Sequence, residues 1–108
     1  MSGFYMLAGT IETDLSLPQW RSMLQQSDLD ARLDDEEDEL ALDFAAANIV
    51  LRGGFGHELI AVGDAQTEAE LRAAVQQLAN WLQAQHVAYE FELYDRQNQL
   101  MDELTSAL

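Results

Sequence analysis

Apolar residues follow two rhythms along this chain, and the switches between them mark its elements. From Gly3 to Glu12 both parities are apolar, with Phe4, Met6 and Ala8 set against Tyr5, Leu7 and Ile11. A strand covered on both faces reads this way, so the run predicts a central strand. The rhythm then changes to that of a helix: Leu17, Trp20, Met23 and Leu24 share one face. Ser16 with Gln19 forms a capping box, Leu15 and Trp20 suit a hydrophobic staple, and Pro18 stands in the first turn, where its missing N–H costs nothing. These signals predict a helix near Leu17–Gln26.

A second helix is predicted over Glu68–Gln85. Thr67 and Glu70 repeat the capping-box spacing. Leu71, Ala74, Val75, Leu78, Trp81 and Leu82 lie on one face, the strongest periodic signal in the chain. Trp20, Leu24, Leu71, Val75, Leu78 and Leu82 are the expected core, with Trp81 beside them.

Between and after the helices the period falls to two. Leu40, Leu42 and Phe44 alternate with Ala41 and Asp43, as in a half-buried strand. Ala45–Asn48 breaks the parity, which fits either a bulge in one long strand or a turn between two. Ile49–Leu51 and Leu59–Val62 predict a hairpin around the turn Gly53-Gly54-Phe55-Gly56. Val87, Tyr89, Phe91 and Leu93 alternate with Ala88, Glu90 and Glu92, an antiparallel strand with one wet face. Asp95–Asn98 reads as a turn with Asn98 in the left-handed region. Gln99–Leu104 then fits a returning strand better than a terminal helix.

The resulting order, β-α-β-(β)-β-α-β-(β), predicts one domain over residues 1–108. Its class would be α+β, with a single mixed or antiparallel sheet and two helices on one face. The ferredoxin-like or split βαβ plan is the expected relative.

Charge changes the picture more than composition does. Of 108 residues, 48% are hydrophobic, as in a folded domain, and there is no cysteine. Twenty acidic residues face five basic ones, for a net charge of −15. The five are all arginines, at 21, 32, 52, 72 and 96. Such a surface repels phosphate backbones and anionic lipid and attracts basic partners, so neither nucleic acid nor membrane is expected as a ligand. No apolar run has the length of a membrane span, and the first residues lack the basic start of a signal peptide; both point to the cytoplasm.

Candidate chemistry is sparse. His57-Glu58 opens like a zinc-protease motif, but Ala61 stands where the second histidine belongs. Arg52 before Gly53-Gly54-Phe55-Gly56 could cradle an anion, but no helix follows to make a phosphate loop. The run Asp34-Asp35-Glu36-Glu37-Asp38-Glu39 lacks the glycine and alternating ligands of a calcium loop and is expected to be an exposed loop. No catalytic residue, metal or cofactor is expected.

What the pattern does offer is a docking surface. The expected contact residues are Asp34, Asp35, Glu36, Glu37, Asp38 and Glu39 in the acidic run, Phe55 at the turn tip, and Glu58, Glu90 and Glu92 on wet strand faces. In size, acidity and lack of motifs the chain is similar to immunity proteins, antitoxins, nuclease inhibitors and DNA mimics. That similarity implies a protein-binding inhibitor that occludes a basic site on a partner such as a toxin or nuclease. The competing expectation is a ferredoxin-like homodimer with regulatory or enzymatic function, holding a small molecule in a closed pocket through His57 or Arg52.

Overall fold

The computed structural model describes residues 3–36, 38–54 and 56–106. Its helices begin where the local chemistry places them. Ser16 caps α1 (Leu17–Gln25): its Oγ accepts from the Gln19 N–H, and the Gln19 side chain accepts from the Ser16 N–H at 2.8 Å. Thr67 caps α2 (Glu68–Ala84) by accepting from the Glu70 N–H at 3.1 Å. Here the return bond differs from a capping box: the Thr67 hydroxyl donates to the Glu70 carboxylate at 2.8 Å. His86, with φ 59°, turns the chain out of α2 in the left-handed conformation.

Seven strands form one antiparallel sheet: β1 (Tyr5–Glu12), β2 (Arg32–Asp35), β3 (Glu39–Asp43), β4 (Ala47–Gly53), β5 (Glu58–Ala65), β6 (Tyr89–Tyr94) and β7 (Leu100–Thr105). Their spatial order is β2-β3-β4-β5-β1-β6-β7. This corrects the ferredoxin-like or split βαβ expectation. After α1 the chain does not return beside β1. It travels to the far edge and comes back through the meander β2-β3-β4-β5 before pairing with β1, and β7 extends the opposite edge. Strand order and helix placement therefore differ from that plan.

Parity along each strand decides what is buried. Leu7 and Ile11 of β1, Leu40 and Leu42 of β3, Ile49 and Leu51 of β4, Leu59 and Ala61 of β5, and Tyr89, Phe91 and Leu93 of β6 are all buried. They face the helices, whose Trp20, Leu24, Leu71, Val75, Leu78 and Leu82 complete the same cluster. Trp20 lies edge-on to Trp81 with ring centroids 5.9 Å apart, and its indole N–H donates to Thr13 Oγ1 at 3.0 Å. Trp81 itself is only half-buried, and Leu15 is exposed.

Gly9 is set by close approach. A Cβ there would lie 2.2 Å from the Glu90 carbonyl oxygen and 2.7 Å from the Phe91 ring, which occupies the space a side chain would take. Arg72 of α2 bonds both Glu68 and, at 2.8 Å, Asp102 of β7, tying the helix to the sheet edge. The Arg72 hydrogen bond holds the Asp102 carboxyl below its ordinary pKa.

Several other expectations are corrected or resolved. β1 is central but covered on one face only, and Met6 is 41% exposed on the other. The described residues of the acidic run belong to the β2–β3 hairpin, with Asp34 and Asp35 inside β2 and Glu39 opening β3, so the run is not a loop free of strand. The parity break at Ala45–Asn48 resolves as a turn over residues 44–46 between β3 and β4, with Ala47 and Asn48 opening β4, Ala45 at φ 70° and its N–H bonded to Asp43 Oδ1 at 2.8 Å. The β4–β5 hairpin pairs Leu51 with Ala61, Asn98 has φ 64°, and the last segment is a strand. No helix among the described residues is long and apolar enough to cross a membrane.

Candidate functional surface

The sheet face turned away from the helices carries no second layer among the described residues. Antiparallel pairing places cross-strand partners on the same face, so the register spells out this surface row by row. One row runs Asp34, Ala41, Val50, Val62, Ala8, Glu92, Glu103 across all seven strands. Its centre is four apolar side chains and its ends are carboxylates. Beside it runs the row Glu39, Arg52, Ile60, Thr10, Glu90, Thr105. On the other side lie Asp43, Asn48, Asp64, Met6 and Tyr94. A wet antiparallel face ordinarily alternates toward polar residues. Here β3, β4, β5 and β1 instead present Ala41, Val50, Ile60, Val62, Ala8 and Met6 together.

Carboxylates at the two ends of this face differ in their surroundings. On the β2–β3 side, Arg32 reaches Asp34 at 3.1 Å and Asp43 at 3.8 Å, and Arg52 reaches Glu39 at 3.5 Å. On the flank of the same hairpin, Arg21 of α1 pairs with Asp35. Much of the acidic run is thus matched by arginine. No ion pair among the described residues reaches Glu58, Glu90 or Glu92, nor Glu12 and Glu103 beside them. Glu12 lies directly opposite Glu58, and Glu92 directly opposite Glu103. Like charges in such positions destabilise a sheet, and no ion pair among the described residues offsets them.

Two adjoining clefts run through this bank. One, of about 310 Å³, is lined by Gly9, Thr10, Glu90, Phe91, Glu92, Glu103 and Thr105. The other, of about 250 Å³, is lined by Thr10, Glu12, Glu58, Ala88, Tyr89, Glu90, Thr105 and Ser106. The shared residues join them into one acidic trough across β7, β6, β1 and β5. Partial burial, and then the neighbouring Glu92 carboxylate, raise the Tyr94 hydroxyl above the ordinary phenol pKa. Carboxylates and hydroxyls in an open trough suit the capture of guanidinium and ammonium groups, which carboxylates bind with charge-assisted hydrogen bonds.

The structure therefore brings together Glu58, Glu90 and Glu92 of the expected contact residues. Asp34 and Glu39 lie on the same face at its far side. Asp35, Glu36 and Asp38 belong to the exposed hairpin and its turn, while Glu37 and Phe55 lie outside the described residues. Glu12, Thr10 and Glu103 were not singled out from the sequence. The signal for Glu12 and Glu103 was strand parity, but their pairing needs the register. Arg52 is exposed beside Glu39, and His57 is exposed with Nδ1 2.5 Å from Asp14, so neither lines a closed pocket. Among the described residues no three of His, Cys, Asp and Glu are grouped as a metal site.

No protein-family model, curated protein or solved structure matches the chain.

Proposed function

We propose that this protein is a small acidic protein-binding module, an inhibitor of the immunity or antitoxin type that occludes a basic site on a partner protein. The observation that carries this reading is the bank of carboxylates without arginine partners on the uncovered sheet face, with Glu58, Glu90 and Glu92 at its centre. A fold gains nothing from directly opposed like charges. A partner bearing arginines or lysines gains both steering and neutralisation from them.

The test begins with proteins recovered on the immobilised chain from native lysate at low salt. Association rates are then measured for the wild type and two variants. One carries Glu58→Gln, Glu90→Gln and Glu92→Gln. The other has residues 34–39 converted to asparagine and glutamine. The first should slow association by roughly tenfold or more and flatten its dependence on salt. The second should do less, because Asp34, Asp35 and Glu39 are already paired with arginines. Association unchanged in both variants would remove the reading.

A further inference from the structure

The carboxylate bank explains attraction but not what its partner rests on. The neighbouring surface is apolar: Val50, Val62 and Ala8 follow one another across β4, β5 and β1, with Ile60 and Met6 alongside. Met6 is 41% exposed, and the others of the group are half-buried with no layer above them among the described residues. Contiguous exposed apolar groups of this kind mark interaction surfaces. Stable interfaces join an apolar centre, which contributes affinity, to a charged or polar rim, which contributes rate and specificity.

We infer that this uncovered sheet face docks a basic protein whose cationic cluster lies beside an exposed apolar patch. The inference rests on the proposed inhibitor function and names the chemistry of its partner. The apolar row receives the patch, and Glu90, Glu92 and Glu103 receive the cations. Val50 and Glu92 are three strand steps apart in the same row. At ~4.8 Å per step that is about 14 Å, the distance the partner must span between its apolar centre and its cations. Charge selects this occupant over a second copy of the chain. Two copies stacked through this face would bring together two chains each with a net charge of −15.

The probe is a synthetic helical peptide of eighteen residues or so, about 27 Å long, with leucines on one face and arginines along one edge. Its controls are a scrambled peptide of the same composition and polyarginine of the same length. Calorimetry at physiological salt should give at least about tenfold tighter binding for the amphipathic peptide than for either control. The near-isosteric pair Val50→Thr and Val62→Thr keeps strand preference and should lower the affinity for the amphipathic peptide by about tenfold, leaving polyarginine binding unchanged. Equal affinity for peptide and scramble overturns the inference while the electrostatic inhibitor reading survives. Absence of binding to all three peptides overturns the inference as well, and the salt-dependent association experiment then decides the inhibitor reading separately. A concentration-dependent dimer in sedimentation, dissociated by the threonine pair, would name a second copy as the occupant and also overturn it. The comparison of peptide with scramble uses the wild type alone, so it holds whether or not the variants fold.

Discussion

Truncating Trp20 to alanine should cost about 3–5 kcal/mol of folding stability, the range for removing a large aromatic from a packed core. Trp20 is fully buried on α1, edge-on to Trp81, and its indole N–H is bonded to Thr13. The change empties the space between α1 and the sheet and leaves the Thr13 hydroxyl without that donor. Because α1 spans only nine residues, its packing rather than its propensity must hold it. A urea titration should show a lowered midpoint with little change in slope. Native fluorescence should then come from the half-buried Trp81 alone and shift to longer wavelength. A loss under about 1 kcal/mol would mean that α1 does not anchor on the sheet as described.

Leu78→Ala should cost about 2–5 kcal/mol. Leu78 is fully buried on the inner stripe of α2, the helix that lies across β1, β4 and β5. Small domains have total stabilities of about 5–15 kcal/mol, so this one change would remove a large share. A loss below about 0.5 kcal/mol would put Leu78 on the surface.

Both helices were legible in the sequence because their signals are local. Caps, Pro18 and the apolar stripes act within a few residues, and tertiary packing agreed with them. The strands were mostly legible for the same reason, with one omission. Arg32–Asp35 has one apolar residue, Leu33, and reads as charged loop; it is a strand because it pairs with β3 and because Arg21 holds Asp35. The topology was not legible. Nothing local says that the chain after α1 crosses to the far edge of the sheet, since strand order is decided by long-range pairing.

The candidate surface was half legible. Parity placed Glu90 and Glu92 on a wet face. It could not show that Glu103 stands opposite Glu92, or that three of the five arginines collect around the acidic hairpin while no ion pair among the described residues reaches the other bank. The apolar half of the surface was misread. The doubly apolar runs of β1 suggested cover on both faces, whereas the structure buries Leu7 and Ile11 and leaves Met6 and Ala8 on the uncovered side. A strand that looks buried on both faces and is not is how a docking surface would appear in a sequence read alone.

The most direct measurement is a methyl and amide NMR titration of the protein with a basic partner recovered at low salt. Signals of Ala8, Val50, Ile60, Val62, Glu90 and Glu92 should shift together, while those on the outer surfaces of α1 and α2 stay in place. Shifts confined to the helices, or to residues 34–39 with the apolar row unmoved, would contradict docking on the uncovered sheet face.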